Sequence, residues 1–389
     1  MESVNDTNPP VTDLLDAGLT TPALLIDLPK LDARLAWGKA RAEALGVLLR
    51  PHLKTHKSVA VARRQMRSPE GPACVSTLAE ARAFWRAGVK DLLYAVGVSP
   101  QKLPEVVRLC REGCRLTVLV DSPEAAACVA KASLEATLTI RAMIEIDCDG
   151  HRSGLSPESE ALLAVARALV PDAALAGVLT HAGESYSAPD FAAQRAASHV
   201  ERDAVVRAAE RLRAVGFECP VVSVGSTPTF FAADDWTGVT EVRAGVYATG
   251  DLFMANNGVL AIEEIALSVL ATVIGHRDDG ALVLDAGWSA LSRDRSTASQ
   301  ARDFAYGLVC DATGRPLAGG TVLVTALNQE HGLVRSVAGR ALSKADYPIG
   351  TRLRILPNHA CATAACHGVV HFVDAAGRLA GREPRITGW

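Results

Sequence analysis

The chain has 389 residues, of which 49% are hydrophobic and 21% are charged, and its formal net charge is −3. A chain of this length exceeds what one compact core usually takes, so we expect two domains of an ordinary globular protein. The small net charge gives no basic field, which argues against nucleic acid as a partner. No apolar run approaches the roughly 18 residues of a membrane span, so we expect no membrane association.

Nine cysteines are scattered along the chain without a framework pattern. An odd number of cysteines in a chain of this length is typical of a reducing compartment rather than of a disulfide scaffold. The first twelve residues, MESVNDTNPPVT, are polar and contain no apolar core of a signal peptide. We therefore expect a cytoplasmic protein.

After a strand-like segment at residues 22–28, short apolar strands alternate with helical stretches such as 77–87 and 158–169. Continuous Val, Ile and Leu runs bounded by turn residues are typical of parallel strands that are buried on both faces. The strand candidates are residues 47–50, 73–76, 91–95, 116–120, 140–146, 175–180, 221–224 and 241–243.

Eight such units predict an α/β fold, a (β/α)8 TIM-like barrel over residues 30–260. An open, doubly wound parallel sheet is the alternative. No GxGxxG fingerprint follows the first strand, which weakens that alternative.

Beyond residue 260 strands separated by Gly-rich and Asp-rich turns replace the helical pattern. These residues predict a second, all-β domain that comprises residues 261–389 and is joined by residues 1–29. Its predicted strands are residues 265–276, 281–285, 321–327, 333–337, 351–356 and 369–373.

The motif RPHLKTHK at residues 50–57 places a lysine after the first barrel strand. Lys54 would lie at the carboxyl end of the barrel strands, where barrel enzymes carry out their chemistry. Burial would disfavour its charged form, lower its pKa and make the amine a nucleophile. Lys57 is the rival for this role, and a solvated loop lysine is the alternative interpretation.

Polar residues also follow later barrel strands. The segment EIDCDGHRSG offers Arg152, whose planar guanidinium suits a phenolate or carboxylate oxygen. The segment LTHAGESY offers His181 and Tyr186, which could lie against an aromatic ring. Without further evidence, Arg152 could equally belong to a charged surface loop and His181 to the core.

The segment SVGSTPT follows the seventh strand and RAGVY follows the eighth. Backbone amides and hydroxyl groups at these two positions of a barrel often hold a phosphate. Gly225, Ser226 and Thr227 are therefore phosphate candidates.

The segment PNHACATAACH places His359 and Cys361 two residues apart. On an extended segment both side chains would point to one side and could reach one ion. Imidazole with thiolate favours zinc, and two protein ligands leave positions open for substrate and water. The alternative is a buried cysteine beside a hydrogen-bonded histidine. Cys366 and His367 are spare ligands or merely neighbours.

In these motifs, spread in order over nearly the whole chain, the sequence resembles the fold-type III pyridoxal-phosphate enzymes, the alanine racemase-like group. It is most similar to the branch of D-serine dehydratases and D-threonine aldolases, and within it to dehydratases of D-threo-3-hydroxyaspartate. The resemblance implies a barrel that carries pyridoxal 5'-phosphate, a β-domain that carries the metal, and a homodimer.

The resemblance also implies roles for individual residues. Lys54 would form the Schiff base with the cofactor, and His359 and Cys361 would bind Zn²⁺ or another divalent metal. The phosphate would be held by Gly225, Ser226, Thr227, Gly245 and Val246, with Tyr247 nearby. Arg152 and His181 would flank the ring, and either Arg243 or Tyr186 would face the pyridine nitrogen.

The implied activity is the dehydration of a β-hydroxy D-amino acid (D-threo-3-hydroxyaspartate, D-serine or D-threonine) to a 2-oxo acid and ammonia. A metal-dependent D-threonine aldolase, which gives glycine and an aldehyde, is the alternative. That branch resembles His-x-Asp at the metal site, whereas this chain has Cys361, which favours zinc and dehydration. A racemase and a cofactor carrier without turnover are further alternatives. Arg293 is a candidate for binding a second substrate carboxylate.

Overall fold

A computed structural model of the chain describes residues 12–13 and 18–389. Residues 1–11 and 14–17 lie outside the described residues. They include most of the polar N-terminal segment from which we expect no signal peptide. Within the described part, no helix is long and apolar enough to cross a membrane.

The strands of the described residues are, in chain order, β1 (Thr12–Asp13), β2 (Ala23–Asp27), β3 (Leu48–Leu49), β4 (Ala73–Val75), β5 (Asp91–Gly97), β6 (Arg115–Val120), β7 (Arg141–Ile146), β8 (Ala174–Thr180), β9 (Val221–Val224), β10 (Glu241–Val242), β11 (Leu267–His276), β12 (Leu282–Leu284), β13 (Leu308–Cys310), β14 (Val322–Leu327), β15 (Gly332–Ser336), β16 (Arg352–Leu356), β17 (Val369–Val373) and β18 (Arg378–Pro384).

The α-helices of the described residues are α1 (Leu28–Ala44), α2 (Val59–Gln65), α3 (Leu78–Arg86), α4 (Leu103–Arg111), α5 (Pro123–Ala136), α6 (Ala161–Leu169), α7 (Phe191–Ala214), α8 (Thr227–Ala232), α9 (Leu252–Asn256), α10 (Trp288–Leu291) and α11 (Ala360–Ala365). Short 3-10 helices include Glu184–Ser187 and Ser296–Ser299.

Strands β3 to β10 form one parallel sheet in the order β4, β5, β6, β7, β8, β9, β10, β3. The sheet closes on itself beyond the end of β3, where His52 pairs with Cys74 of β4. There the Cys74 backbone N–H donates to the Pro51 carbonyl and the Leu53 N–H donates to Cys74. The predicted barrel is therefore confirmed, and the open doubly wound alternative is wrong.

Apolar side chains from consecutive strands fill the barrel. The buried cluster comprises Cys74, Leu93, Leu119, Met143, Ala176 and Leu179, which lie on β4 to β8. Because alternate residues of a strand point to opposite faces, these inward positions form a packed interior rather than a channel. Chemistry is thereby restricted to the ends of the barrel.

Polar side chains fix where several barrel helices begin. The hydroxyl oxygens of Ser58, Thr77 and Ser122 accept hydrogen bonds from backbone N–H groups in the first turns of α2, α3 and α5. Such caps satisfy N–H groups that have no partner within the helix. They set the lengths of the loops that follow β3, β4 and β6 and therefore the positions of residues on those loops.

The remaining strands form a second sheet, in the order β1, β18, β17, β2, β11, β12, β15, β14, β13, β16. Strand β16 also pairs with β11, so six strands close into an antiparallel ring and the other four extend from it. Only the pairing of β2 with β17 is parallel within the described part of this sheet. The predicted all-β domain and its use of the segment at 22–28 agree with this sheet.

The chain divides into two compact units, residues 35–247 with 386–389, and residues 1–34 with 248–385. The sequence predicted boundaries near residues 30 and 260. Each predicted strand overlaps an observed one, but β1, β13 and β18 were missed. Strands β1 and β13 have only two and three residues, and β18 has one buried residue, so none of them forms a long apolar run.

Candidate active site

The motif lysine lies in a turn that follows the first barrel strand. Residues 53–56 form this turn, in which the Lys54 backbone N–H donates to His52 Nδ1 over 3.4 Å. The Lys54 side chain is exposed, so the expectation that it is buried in the chain was wrong. A turn beyond the end of a strand leaves the layer of side chains that fills the barrel, and the amine is therefore open to a ligand.

Lys57, the rival lysine, forms an ion pair. Its Nζ lies 3.0 Å from Oε1 of Glu80, whose side chain is fully buried. The Ser76 N–H and the Thr77 hydroxyl also donate to that carboxylate. A buried carboxylate requires such partners, so Lys57 has a structural role at the start of α3. Among the two candidates, Lys54 has the accessible amine.

The barrel end that carries Lys54 is electropositive. Burial lowers the pKa of His52 well below its usual value, and the charges of Lys54 and Arg243 lower it further. Burial also lowers the pKa of His181 to about 3, with Arg152, Lys54 and Arg243 acting in the same direction. Three cationic side chains thus act on the same two imidazoles. Such a field favours an anionic ligand.

His181 is held in one orientation and one tautomer. Its Nδ1 lies 2.5 Å from the carbonyl oxygen of Gly225. Because a carbonyl only accepts, Nδ1 carries the proton, and in the neutral ring Nε2 is then an acceptor. The ring centroid lies 6.1 Å from that of Tyr186. A neutral, fixed imidazole of this kind can pack against a flat aromatic ligand.

The segment after β9 provides hydroxyl groups. Ser226 caps α8, accepting from the Thr229 N–H, and its Oγ lies 2.8 Å from that of Ser185. Thr227 is also buried, but its Oγ1 has no hydrogen-bond partner among the described residues. A buried hydroxyl without a partner is costly, and a phosphate oxygen at this position would satisfy it.

Two glycines allow the loops after β9 and β10 to approach their neighbours. A Cβ on Gly225 would lie 2.7 Å from the Arg243 carbonyl oxygen, and one on Gly245 would lie 2.8 Å from that of His52. Both obstacles are backbone atoms, so any side chain would push the strand ends apart. Gly225 thus lets the segment that contains Ser226 lie against the backbone of Arg243. Gly245 lets the turn after β10 lie against the backbone of His52, near Lys54.

The other residues predicted after β10 lie in a turn. Val246 is half-buried, whereas Tyr247 is fully buried and packs edge-on against Phe230 at 6.0 Å between ring centroids. A Cβ on Gly38 of α1 would lie 2.3 Å from the Tyr247 ring. This packing fixes the turn that begins at Gly245.

Glu201 was missed by the sequence analysis. This fully buried residue of α7 accepts, through Oε1, the backbone N–H groups of Ala182 and Gly225 over 3.1 and 2.9 Å. Burial raises the pKa of its carboxyl group. Glu201 therefore ties together the loops that carry His181 and Ser226. Nothing in the sequence of α7 singles out Glu201 from the other acidic residues of the helix, Asp203 and Glu210.

The two arginines of the site differ in their surroundings. Arg243 is buried, and its guanidinium donates to the Ser223 hydroxyl and to the Thr180 and Val224 carbonyls. Arg152 is exposed and lies 3.4 Å from the buried Glu145 carboxylate. Arg243 is thus rigid inside the barrel end, whereas Arg152 is accessible to a ligand. Tyr186, in the 3-10 helix after β8, is half-buried.

The predicted metal pair lies in the second unit, at the start of α11. His359 is the N-cap residue with extended backbone angles, and Cys361 already belongs to the helix. The expectation of an extended segment was therefore wrong, because β16 ends at Leu356 and the helix begins at Ala360, four residues later. A hydrogen bond nevertheless joins the two side chains and contributes to the pKa of His359. The pair therefore lies together.

Acidic residues surround this pair. His359 Nδ1 lies 3.5 Å from Oδ2 of Asp294, and the buried Asp251 also acts on it. Burial would lower the pKa of His359, but Asp294 and Cys361 outweigh burial and raise that pKa to about 11. Negative charge that favours an imidazolium also favours a divalent cation. The donor set, imidazole with a sulfur atom, fits zinc.

Further contacts anchor the loop beside the pair. The Asn358 side-chain amide donates to the Asp294 and Ala305 carbonyls over 2.9 and 2.7 Å. Cys366 is the exposed C-cap of α11, and His367 Nε2 lies 2.9 Å from the Ala290 carbonyl. Within the described residues, no group of three or more His, Cys, Asp or Glu is arranged to hold a metal.

Arg293 does not bind a described carboxylate. Its guanidinium lies over the Trp288 ring, 4.7 Å from the ring centroid. The contact is a cation–π interaction at the surface of the second unit. It leaves Arg293 a candidate for a substrate carboxylate without placing it there.

Comparison with known proteins assigns a family to each unit. The family model for the alanine racemase N-terminal domain matches residues 26–252, and the model for a serine dehydratase domain matches residues 266–373. The D-threo-3-hydroxyaspartate dehydratase of Delftia sp. (strain HT23) is 50% identical over 378 residues, 95% of this chain and 98% of that protein. The D-threonine aldolase of Arthrobacter sp. is 32% identical over 90% of this chain and 88% of that protein.

Solved structures agree with these relatives. The Delftia dehydratase superposes with a TM-score of 0.93 and 48% identity, covering 97% of this chain and 100% of that chain. A variant of D-threo-3-hydroxyaspartate dehydratase in the metal-free form, in which a cysteine is replaced by alanine, gives the same TM-score and identity with the same coverage. The D-threonine aldolase of Filomicrobium marinum superposes with a TM-score of 0.82 and 27% identity over 97% of both chains.

Proposed function

Because the chain belongs to the alanine racemase N-terminal domain family and carries a serine dehydratase domain after it, we propose that it is a zinc-dependent dehydratase that uses pyridoxal phosphate. Its substrate is D-threo-3-hydroxyaspartate, or another β-hydroxy D-amino acid such as D-serine or D-threonine. The products are a 2-oxo acid and ammonia. This proposal rests chiefly on the pairing of His359 with Cys361 in a chain that is 50% identical to such a dehydratase.

The predictions of the family, the fold class and a lyase of the D-amino acid dehydratase type are confirmed by these relatives. The individual site residues, zinc and the preferred substrate remain proposals. The two family matches follow the two compact units closely, since the first match ends at residue 252 and the second unit begins its long segment at 248.

The barrel end fits pyridoxal phosphate. Lys54 offers an exposed amine for a Schiff base, and the unpartnered Thr227 hydroxyl, with Ser226 and the glycine-bounded loops, fits a phosphate. His181 would pack against the ring, with Arg152 beside it and Arg243 or Tyr186 toward the pyridine nitrogen. When bound, the cofactor withdraws electrons from the substrate Cα and so acidifies the Cα proton.

The metal pair supports dehydration. His359 and Cys361 would hold the ion, which when bound acts as a Lewis acid on the substrate β-hydroxyl. Two solved structures of D-threo-3-hydroxyaspartate dehydratase variants carry alanine in place of a histidine and of a cysteine two residues apart, and the cysteine variant is in the metal-free form. The same spacing separates His359 from Cys361, which supports their role as metal ligands.

The chain's own groups then move the protons. Lys54 Nζ, the accessible amine at the barrel end, would take the proton from the substrate Cα. The β-hydroxyl would leave as water with the proton that Lys54 returns to it, and hydrolysis of the released enamine would give the 2-oxo acid and ammonia. The buried Arg243 and the neutral His181 stay fixed, so the site does not reorganise around the departing group.

Product analysis tests the proposal. Purified, zinc-loaded protein is mixed separately with D-threo-3-hydroxyaspartate, D-serine and D-threonine. Ammonia and a 2-oxo acid in equal amounts are the expected products, and their rates rank the substrates. Glycine and an aldehyde would instead establish the aldolase chemistry, for which the 32% identical D-threonine aldolase is the precedent. The Cys361→Ala variant should lose the dehydratase activity.

We also infer a homodimer in a reducing compartment such as the cytoplasm. All nine cysteines are free, and Cys366 is exposed. A free exposed thiol is typical of a reducing environment.

Sedimentation analysis of the purified protein tests the inferred homodimer, and a monomer would contradict it.

A further inference from the structure

Asp251 bridges the starts of two helices in the second unit. Its Oδ1 accepts the Met254 N–H of α9 over 2.9 Å, and its Oδ2 accepts the Ala360 N–H of α11 over 2.9 Å. The residue is 2% exposed. One carboxylate thus caps its own helix and also the helix that begins at the metal pair.

The bridge supplies what α11 lacks. His359, the N-cap of α11, accepts no hydrogen bond through its side chain from a backbone N–H group of the helix. A histidine whose ring is to bind a metal cannot also cap its helix with that ring. The carboxylate of a residue more than 100 positions earlier therefore takes over the capping role.

Backbone hydrogen bonds make the bridge specific. The Leu252 N–H donates to the Pro357 carbonyl over 3.0 Å, and the Phe253 N–H donates to Asn358 over 3.1 Å. Together with Asp251, these bonds align residues 251–254 with residues 357–360. The φ and ψ angles at His359, and with them the direction of its side chain relative to Cys361, are set by this alignment.

We propose that Asp251 is a positioning residue, which holds the start of α11 so that His359 and Cys361 are directed toward one metal ion before the ion arrives. This inference rests on the proposed metal site. Preorganised ligands bind more tightly because no backbone freedom is lost on binding. Partners that orient metal ligands typically change metal affinity by about 10- to 100-fold when they are removed.

The test compares serine substitutions at two helix caps. In Asp251→Ser the hydroxyl can still cap α9 but cannot also reach Ala360, so only the bridge is lost. Asp190 caps α7 through the Ala193 N–H over 2.8 Å and forms no such bridge, so Asp190→Ser is the matched control. The zinc dissociation constant of each holoenzyme is measured by competition with a chromophoric chelator.

We expect the zinc affinity of Asp251→Ser to fall by about 10- to 100-fold, while cofactor absorbance is unchanged and Asp190→Ser binds zinc normally. Asp251→Asn should behave like Asp251→Ser, since its amide would face the Ala360 N–H. Zinc affinity within twofold of the unaltered protein in Asp251→Ser would overturn the inference. If His359→Ala and Cys361→Ala also bind zinc normally, the proposed metal site itself is wrong.

Hydrogen exchange of the protein with its unaltered sequence, with and without zinc, is a test that needs no variant. In zinc-stripped protein, the Ala360 amide hydrogen should exchange slowly, because Asp251 holds it without the metal. Rapid exchange that slows only when zinc is added would mean that the metal orders the helix, and the inference would be overturned.

Discussion

At the scale of single residues, the contacts of Lys54 and Lys57 distinguish two lysines that the sequence leaves equivalent. Lys54→Ala should remove the visible absorbance of bound cofactor, whereas Lys57→Ala should keep it. Lys57→Ala leaves the buried Glu80 without its cation and should lower the free energy of unfolding by about 1–3 kcal/mol. Absorbance spectra and urea unfolding of both variants provide the check. Loss of absorbance in Lys57→Ala alone would reverse the assignment.

The stability of the protein at acidic pH should also depend on a single residue, His181. Because the pKa of His181 is lowered from 6.5 to about 3 in the folded chain, the unfolded chain binds an extra proton between these values. The contribution of the neutral His181 side chain to stability is therefore complete above pH 6.5, and it is lost as the pH falls toward 3. The loss amounts to about 1.4 kcal/mol per pH unit within this window.

His181→Asn tests this expectation, since its amide can still donate to Gly225 but does not titrate. Urea unfolding at several pH values between 7 and 4 should show a flatter dependence on pH for this variant. Equal slopes for the two proteins would mean that the imidazole is not held neutral. His52 is present in both proteins, so its lowered pKa should leave the variant with part of the dependence on pH.

At the scale of elements, α7 supports the cofactor loops through Glu201. Glu201→Ala leaves two buried N–H groups, those of Ala182 and Gly225, without an acceptor. We expect the free energy of unfolding to fall by about 1–3 kcal/mol for each group, and the cofactor to bind more weakly.

Glu201→Gln is the matched control, because the amide oxygen can accept both N–H groups. Its stability and cofactor affinity should stay close to those of the unaltered protein. Cofactor dissociation constants and unfolding curves are the measurements. An equal loss in both variants would show that the negative charge, and not the hydrogen bonds, is what the loops require.

The elements also show what can be predicted from a sequence. Strands buried on both faces, such as residues 141–146, form apolar runs and were found to within one residue. Helix α11 was missed because its residues, ACATAA, follow Pro and Asn without a conventional cap. Its cap comes from Asp251 in another segment, and local sequence carries no signal of such a partner.

At the scale of the whole molecule, ordered motifs identified the family, because each proposed reacting residue lies in a short segment of unusual composition. The supporting residues are different. Glu201 and Asp251 act through backbone N–H groups that lie far from them in sequence, and any acidic residue on a helix resembles them. Tertiary structure alone distinguishes them, which is why the sequence offered candidates for the reacting groups and none for their supports.

The proposed cofactor residues lie in the unit that contains residues 35–247, and the proposed metal residues lie in the unit that contains residues 248–385. The proposed cofactor site and the proposed metal site each use side chains of one unit. Each site should therefore bind its ligand when the other site is empty. Treatment with a chelator should abolish ammonia release while the cofactor absorbance persists, and added zinc should restore activity. Lys54→Ala should lose that absorbance yet bind zinc in the same ratio as the unaltered protein. Release of the cofactor on chelation would show that the metal pair also holds the cofactor. Activity that survives complete removal of the metal would leave His359 and Cys361 without a role in the reaction.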